Sequence, residues 1–203
     1  MTTIVAIQGD GFAVVCSDSR ISDMDKDGYV SQITTLRDGI SKVYSNGKYL
    51  LGAAGDLRAI NILHHAFTPP PIPNGTKGKK LDHFFTSKFI PALRECFEEQ
   101  GYAMPDKDAK SHMAEHESLI IAVVCGTIYI IDGDYSWVSD ASGLHAIGSG
   151  SSYALGALQV LKANKKLNPQ QAKSIALKAL NVAAKYDPHT GAPFHTFVQE
   201  QPK

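Results

Sequence analysis

The stretch 1–20, MTTIVAIQGDGFAVVCSDSR, decides how this 203-residue chain folds. Residues 2–8 and 12–18 are apolar or β-branched runs, and GDG at 9–11 separates them. Asp-Gly between two such runs supplies the positive φ angles of a tight hairpin. The chain therefore opens on a strand, with a threonine directly after Met1. Thr suits a strand, and Thr2 and Thr3 could simply start one. A hydroxyl at position 2 has a second reading, because removal of Met1 would place it beside a free α-amine.

Outward from this hairpin, residues 19–39 are polar and broken by glycines and read as loop or irregular strand. SKVYSNGKYLLGAAG (41–55) repeats the hairpin pattern, with Asn46-Gly47 as turn residues. DLRAINILHHAF (56–67) reads as a helix capped by Asp56. TPPPIPNGTKGKK (68–80) is a linker or mobile loop by composition. A second helix is expected over 81–100, interrupted at Pro91, followed by a polar loop over 103–116. Strands return at 118–126 and 127–134 with a turn at Gly126-Thr127. Residues 143–164 pass from strand through glycines into a helix. Residues 168–187 begin with a cap and a proline, and apolar residues recur at 172, 175, 176, 179, 180, 183 and 184. FHTFV (194–198) closes the chain as a strand. Hairpins alternating with helix pairs give an α+β arrangement, which a four-layer α-β-β-α sandwich satisfies within a single domain over residues 1–203.

Composition bounds the function. Lys+Arg and Asp+Glu balance at 20 each, which argues against a general nucleic-acid or polybasic membrane surface. No stretch reaches the length of a membrane span, and no basic region followed by an apolar core marks a secretory signal. Cys16, Cys96 and Cys125 are scattered, as expected of buried thiols in a reducing, cytoplasmic setting. Cys16 and Cys125 sit in apolar strand-like runs, where a thiol packs as a small hydrophobe. His112 and His116 share a helical spacing but lack a third ligand, His64 and His65 point apart, and His195 alternates within a strand, so no metal or other cofactor is expected.

The blocks TTIVAI, CSDSRIS, SKV, GAAGD, AIGSGSSYA and YDPHTGAPFHT, in this order and spacing, resemble the proteasome β subunit / HslV family of N-terminal-nucleophile hydrolases. The resemblance implies the four-layer sandwich of those hydrolases and a threonine-type peptidase acting on unfolded polypeptide. Thr2 matches the nucleophile, exposed once Met1 is removed. A free α-amine, with an ordinary pKa near ~7.7–8.0, could take the hydroxyl proton directly or through water. Asp18 in SDSR and Lys42 in SKV match a carboxylate and an ammonium beside the nucleophile. Gly52 resembles the glycine whose N–H holds the oxyanion. Ser149 in GSGSS, with Asp187 and Thr190 in DPHTG, matches the group that orients the amine, Thr190 standing where the proteasome pattern has serine. Ile21, Leu50 and Ala54 fall where the family lines its first specificity pocket, implying an apolar one. Ser22 matches a position whose backbone pairs with an extended substrate. The segment between Asp18 and Lys42 is several residues longer than in HslV.

Homo-oligomeric rings fed by an ATP-dependent unfoldase are the partners the resemblance implies, with no nucleic acid or membrane. Two other readings fit the same fold: an inactive structural or assembly subunit, if Met1 stays on, and a small-molecule amidohydrolase of the wider N-terminal-nucleophile group.

Overall fold

The computed structural model describes residues 2–102, 104–105, 114–163 and 165–201. Met1, His112 and most of the expected 103–116 loop lie outside the described residues. The chain opens with the hairpin β1 (Thr3–Gly9) and β2 (Phe12–Ser17), closed over Asp10-Gly11 as read from sequence. The next segment departs from expectation. Instead of a loop, β3 (Arg20–Met24) and β4 (Val30–Thr35) form a second hairpin. Their alternation is hard to read in sequence because β4 buries no residue and four of its six side chains are polar.

β5 (Val43–Asn46) and β6 (Tyr49–Ala54) follow, then α1 (Leu57–His65), whose N-cap Asp56 accepts from the Arg58 N–H. Residues 68–78 form no regular element but are pinned, because the Tyr49 hydroxyl donates to Pro70 O at 2.7 Å and Ile72 packs on the core. α2 (Lys79–Phe84) enters a π-helical turn (Phe85–Phe89) and leaves as α3 (Ile90–Glu99). The expected interruption at Pro91 takes this form, the widened turn just before it accommodating a residue with no N–H to donate. Short pairings β7 (Met104–Pro105) and β8 (Ala114–Glu115) precede β9 (Leu119–Val124), β10 (Thr127–Ile131) and β11 (Trp137–Val138). The β9–β10 turn is Cys125-Gly126, one residue earlier than the sequence suggests, and both residues have positive φ. Cys125 is thus a turn residue, not a strand residue. β12 (Leu144–Gly148), α4 (Ser151–Lys162), α5 (Pro169–Tyr186) and β13 (His195–Glu200) complete the chain. α5 starts with the expected cap, as Asn168 and Gln171 bond reciprocally in a capping box.

The strands form two main sheets, β12-β1-β2-β13 and β11-β10-β9-β6-β5. Period-two alternation divides each strand between two cores. On β1, Ile4 and Ala6 face the second sheet while Val5 and Ile7 face α4 and α5. On β6, Leu50 and Ala54 face the first sheet while Tyr49, Leu51 and Ala53 face α1–α3. Three hydrophobic cores thus separate four layers, helix, sheet, sheet and helix, as expected from the sequence. Burying both faces explains why β1, β2 and β9 read as nearly unbroken apolar runs. Among the described residues no helix is long and apolar enough to cross a membrane.

Candidate active site

The site sits where β1 begins, against the ends of β2, β6 and β12. Thr3 pairs with Gly148 across β1 and β12, and Ser149 N–H donates to Thr2 O at 2.9 Å. A Cβ on Gly148 would lie 1.8 Å from Thr2 O, and its φ is +94°, so the approach of the two strands requires glycine there. Thr2 is 2% exposed.

Asp18, at the end of β2, is fully buried and accepts four hydrogen bonds. Oδ1 takes the Thr3 N–H at 3.0 Å and the Lys42 ammonium at 2.6 Å. Oδ2 takes the Arg20 N–H at 3.0 Å and the Gly191 N–H at 3.1 Å. Lys42, also without exposure, donates further to Arg20 O at 2.5 Å. Burial pushes its pKa below the ordinary lysine value, and Asp18 opposes that fall by charge and hydrogen bond. A buried ammonium needs such partners, and a carboxylate and a carbonyl are among those that hold it here.

On the other flank, Asp187 closes α5. Its Oδ2 accepts from Ser149 Oγ at 2.8 Å and from Thr190 Oγ1 at 2.5 Å. Thr190 has one proton and gives it to Asp187, so the 2.6 Å contact between the Thr190 and Thr3 hydroxyls runs with Thr3 as donor. Thr3 Oγ1 in turn accepts the Gly150 N–H at 3.0 Å. The direction of this relay is fixed: Gly150 N–H, Thr3, Thr190, Asp187. Ser149 likewise has one proton. Its stronger contact is with Asp187, and Thr2 O stands at 3.4 Å. The serine lone pairs remain able to accept a donor near Thr2.

Thr2, Asp18, Lys42, Ser149, Asp187 and Thr190, far apart in sequence, therefore gather at one place. Gly52 does not join them. It lies inside β6, paired with Val43 and Ile121, where a Cβ would meet Val43 Cγ2 at 2.7 Å and Lys42 O at 2.9 Å. Its missing side chain makes room for core packing. Gly55, three residues on, borders both hollows beside Thr2. Sequence reasoning passed over it. So it did Thr3, although a second threonine after Met1 was the available signal.

One hollow, of ≈ 250 Å³, lies between β3 and α1 and is lined by Thr2, Ile21, Ser22, Asp23, Gly55, Asp56, Leu57 and Ile60. The other, of ≈ 350 Å³, runs past Ala54, Gly55, Glu117, Ser118, Asp132 and Ser149. Ile21, Ser22 and Ala54 thus border the hollows, whereas Leu50 is buried between the sheets. The Ser22 hydroxyl is bonded to His189 Nδ1 at 2.7 Å. His116 is buried in an aromatic box with Phe97, Tyr102 and Tyr135, and His64 packs on Tyr44. His195 is half-buried on β13. Burial pushes the Cys16 thiol up to about 12, which leaves it inert. Among the described residues no group of three His, Cys, Asp or Glu side chains is placed to hold a metal ion.

No family model matches the chain. It is 28% identical over 183 residues to the ATP-dependent protease subunit HslV of Staphylococcus carnosus, covering 90% of this chain and 88% of that one. The fold is similar to that of BPH from Thiobacillus denitrificans, solved in complex with epoxomicin, with a TM-score of 0.72, 18% identity and full coverage of both chains. It is also similar to eukaryotic HslV from Trypanosoma brucei, with a TM-score of 0.63 and 20% identity over 98% of this chain and 100% of that one. The sequence likeness to HslV, the four-layer fold and the blocks gathered around Thr2 agree with one another, and the chain is similar to the HslV/proteasome β family in sequence and fold.

Proposed function

We propose that this chain is a threonine-type peptidase subunit cleaving unfolded polypeptide, with Thr2 as its nucleophile after Met1 is removed. The observation that carries the reading is the convergence of two hydrogen-bonded groups, Asp18–Lys42 and Ser149–Asp187–Thr190, on the two residues that follow Met1. Thr2 Oγ1 attacks the scissile carbonyl carbon while its proton passes to the α-amine, directly or through water. The new C–O bond gives a tetrahedral oxyanion. Collapse breaks the C–N bond, and the proton goes to the leaving nitrogen. Water then hydrolyses the ester and restores Thr2. The Lys42 charge favours the developing alkoxide and disfavours a protonated amine nearby. Ser149, held by Asp187, accepts from the amine and orients it.

The oxyanion donor in this mechanism is the Gly55 N–H rather than that of Gly52. Gly55 borders both hollows at Thr2, and its φ of +129° turns the backbone out of the β6 ladder. The chain acts as a single domain in a homo-oligomeric cytoplasmic assembly fed by an ATP-dependent unfoldase, in keeping with relatives named as ATP-dependent protease subunits.

The test is the intact mass of the purified protein before and after incubation with a peptidyl epoxyketone or vinyl sulfone. Loss of Met1 and a single adduct mapped to Thr2 are expected. Retained Met1 without an adduct would leave the fold intact and point to a structural subunit. Hydrolysis of small amides without cleavage of peptides would point to an amidohydrolase.

A further inference from the structure

We infer that the substrates of this site are basic polypeptides, cut on the carboxyl side of lysine or arginine. The inference rests on the peptidase reading above and concerns the two hollows beside Thr2. In the first, Ile21, Leu57 and Ile60 are apolar walls, and the carboxylates of Asp23 and Asp56 stand exposed among them. In the second, Glu117 and Asp132 are exposed. Among the described residues no lysine or arginine lines either hollow. The chain as a whole carries 20 basic and 20 acidic residues, so this acidity is local, not compositional.

The cations nearby are engaged elsewhere. Lys42 is bonded to Asp18 and Arg20 O behind the site. Arg20 donates to Pro188 O at 2.8 Å. Arg58 donates to Gln100 O at 2.6 Å and lies over the Tyr102 ring. Asp56 uses Oδ1 to cap α1, which leaves its other oxygen to accept.

Among the described residues β3 pairs with β4 alone, and the contacts on its other side are made at Arg20 and Ser22, so an extended peptide would add along the rest of that edge. A peptide added there, with its scissile carbonyl at Thr2, places the side chain of the attacked residue over the first hollow. A volume of ≈ 250 Å³ holds one long side chain. Lysine and arginine fit both halves of it, the aliphatic stem on Ile21, Leu57 and Ile60 and the charged head at Asp23 and Asp56. Leucine would fill the walls and leave both carboxylates without a partner. Glutamate would meet like charge.

The experiment uses the full chain and three fluorogenic peptide amides that differ only in the residue before the scissile bond: Arg, Leu or Glu. The expected order of kcat/KM is Arg, then Leu, then Glu. Arg should lead Leu by about ten-fold or more at low salt, the factor a charge-assisted hydrogen bond supplies. The lead should shrink as salt rises. The double variant D23N/D56N should bring the Arg-to-Leu ratio close to one, and asparagine at 56 keeps the helix cap. Leucine cleaved as well as arginine, or a ratio unmoved in D23N/D56N, overturns the inference. Epoxyketone labelling of Thr2 separates the two levels. An adduct without arginine preference defeats the basic specificity alone, whereas no adduct and no cleavage of any peptide defeats the peptidase reading and this inference with it.

Discussion

Asp18 holds the start of β1, the ammonium of Lys42 and the 188–191 turn with one carboxylate, and Thr190 performs the matching task on the other flank. Its hydroxyl receives from Thr3 and gives to Asp187. Thr190→Val keeps the shape and removes both bonds, so Asp187 loses a donor and Thr3 an acceptor. A fall in kcat of about ten- to a hundred-fold with little change in KM is expected, the loss of one or two positioning hydrogen bonds. Thr190→Ser should restore most of the rate, since only the hydroxyl is needed. Equal losses in the two variants would mean that the methyl group, not the relay, matters. Thr190 was legible in the sequence because DPHTG preserves a hydroxyl at a matched spacing. Gly55, proposed above as the oxyanion donor in place of Gly52, was not, because two nearby glycines look alike in a string. Only the fold tells an N–H inside a ladder from one beside an open hollow.

At the scale of elements, the meeting of β1 and β12 is the tightest joint at the site. Gly148→Ala would drive a methyl group into Thr2 O and place alanine at a φ of +94°. Loss of adduct formation at Thr2 and a lower melting temperature are expected, at a cost of about 1–3 kcal/mol from backbone strain alone. Unchanged labelling would show that the two strands can part without harm. Hairpins and helix starts were readable where turn and cap chemistry is local, as at Asp10-Gly11 and in the Asn168–Gln171 capping box. They were misplaced where tertiary demand overrides it. Cys125 adopts a positive φ that its residue type does not invite, and β3–β4 pairs without an apolar face to announce it.

At the scale of the whole molecule, buried histidines make stability depend on pH. His145 and His116 are each buried, and burial lowers the pKa of each below its ordinary 6.5, while Asp140 and Asp132 respectively oppose that fall. The folded state resists protonation that the unfolded chain accepts. The unfolded chain therefore binds more protons once pH drops below about 6.5, and stability falls with it. The melting temperature should be level from pH 7 to 8 and decline below about pH 6.5. His145→Gln should flatten that decline. A curve of unchanged slope in the variant would assign the effect to other groups.

The order of strands in the first sheet has a consequence for biosynthesis. Thr2 leaves the ribosome long before its supports at Asp187, Thr190 and Gly191, and before the strand β13 that borders β2. Until residues 187–191 have been made, Thr2 stands without the Ser149–Asp187–Thr190 group beside it. If Thr2 is the nucleophile proposed above, a centre assembled in this order stays idle while those supports are still to be made. On that mechanism the order of synthesis itself acts as the safety catch.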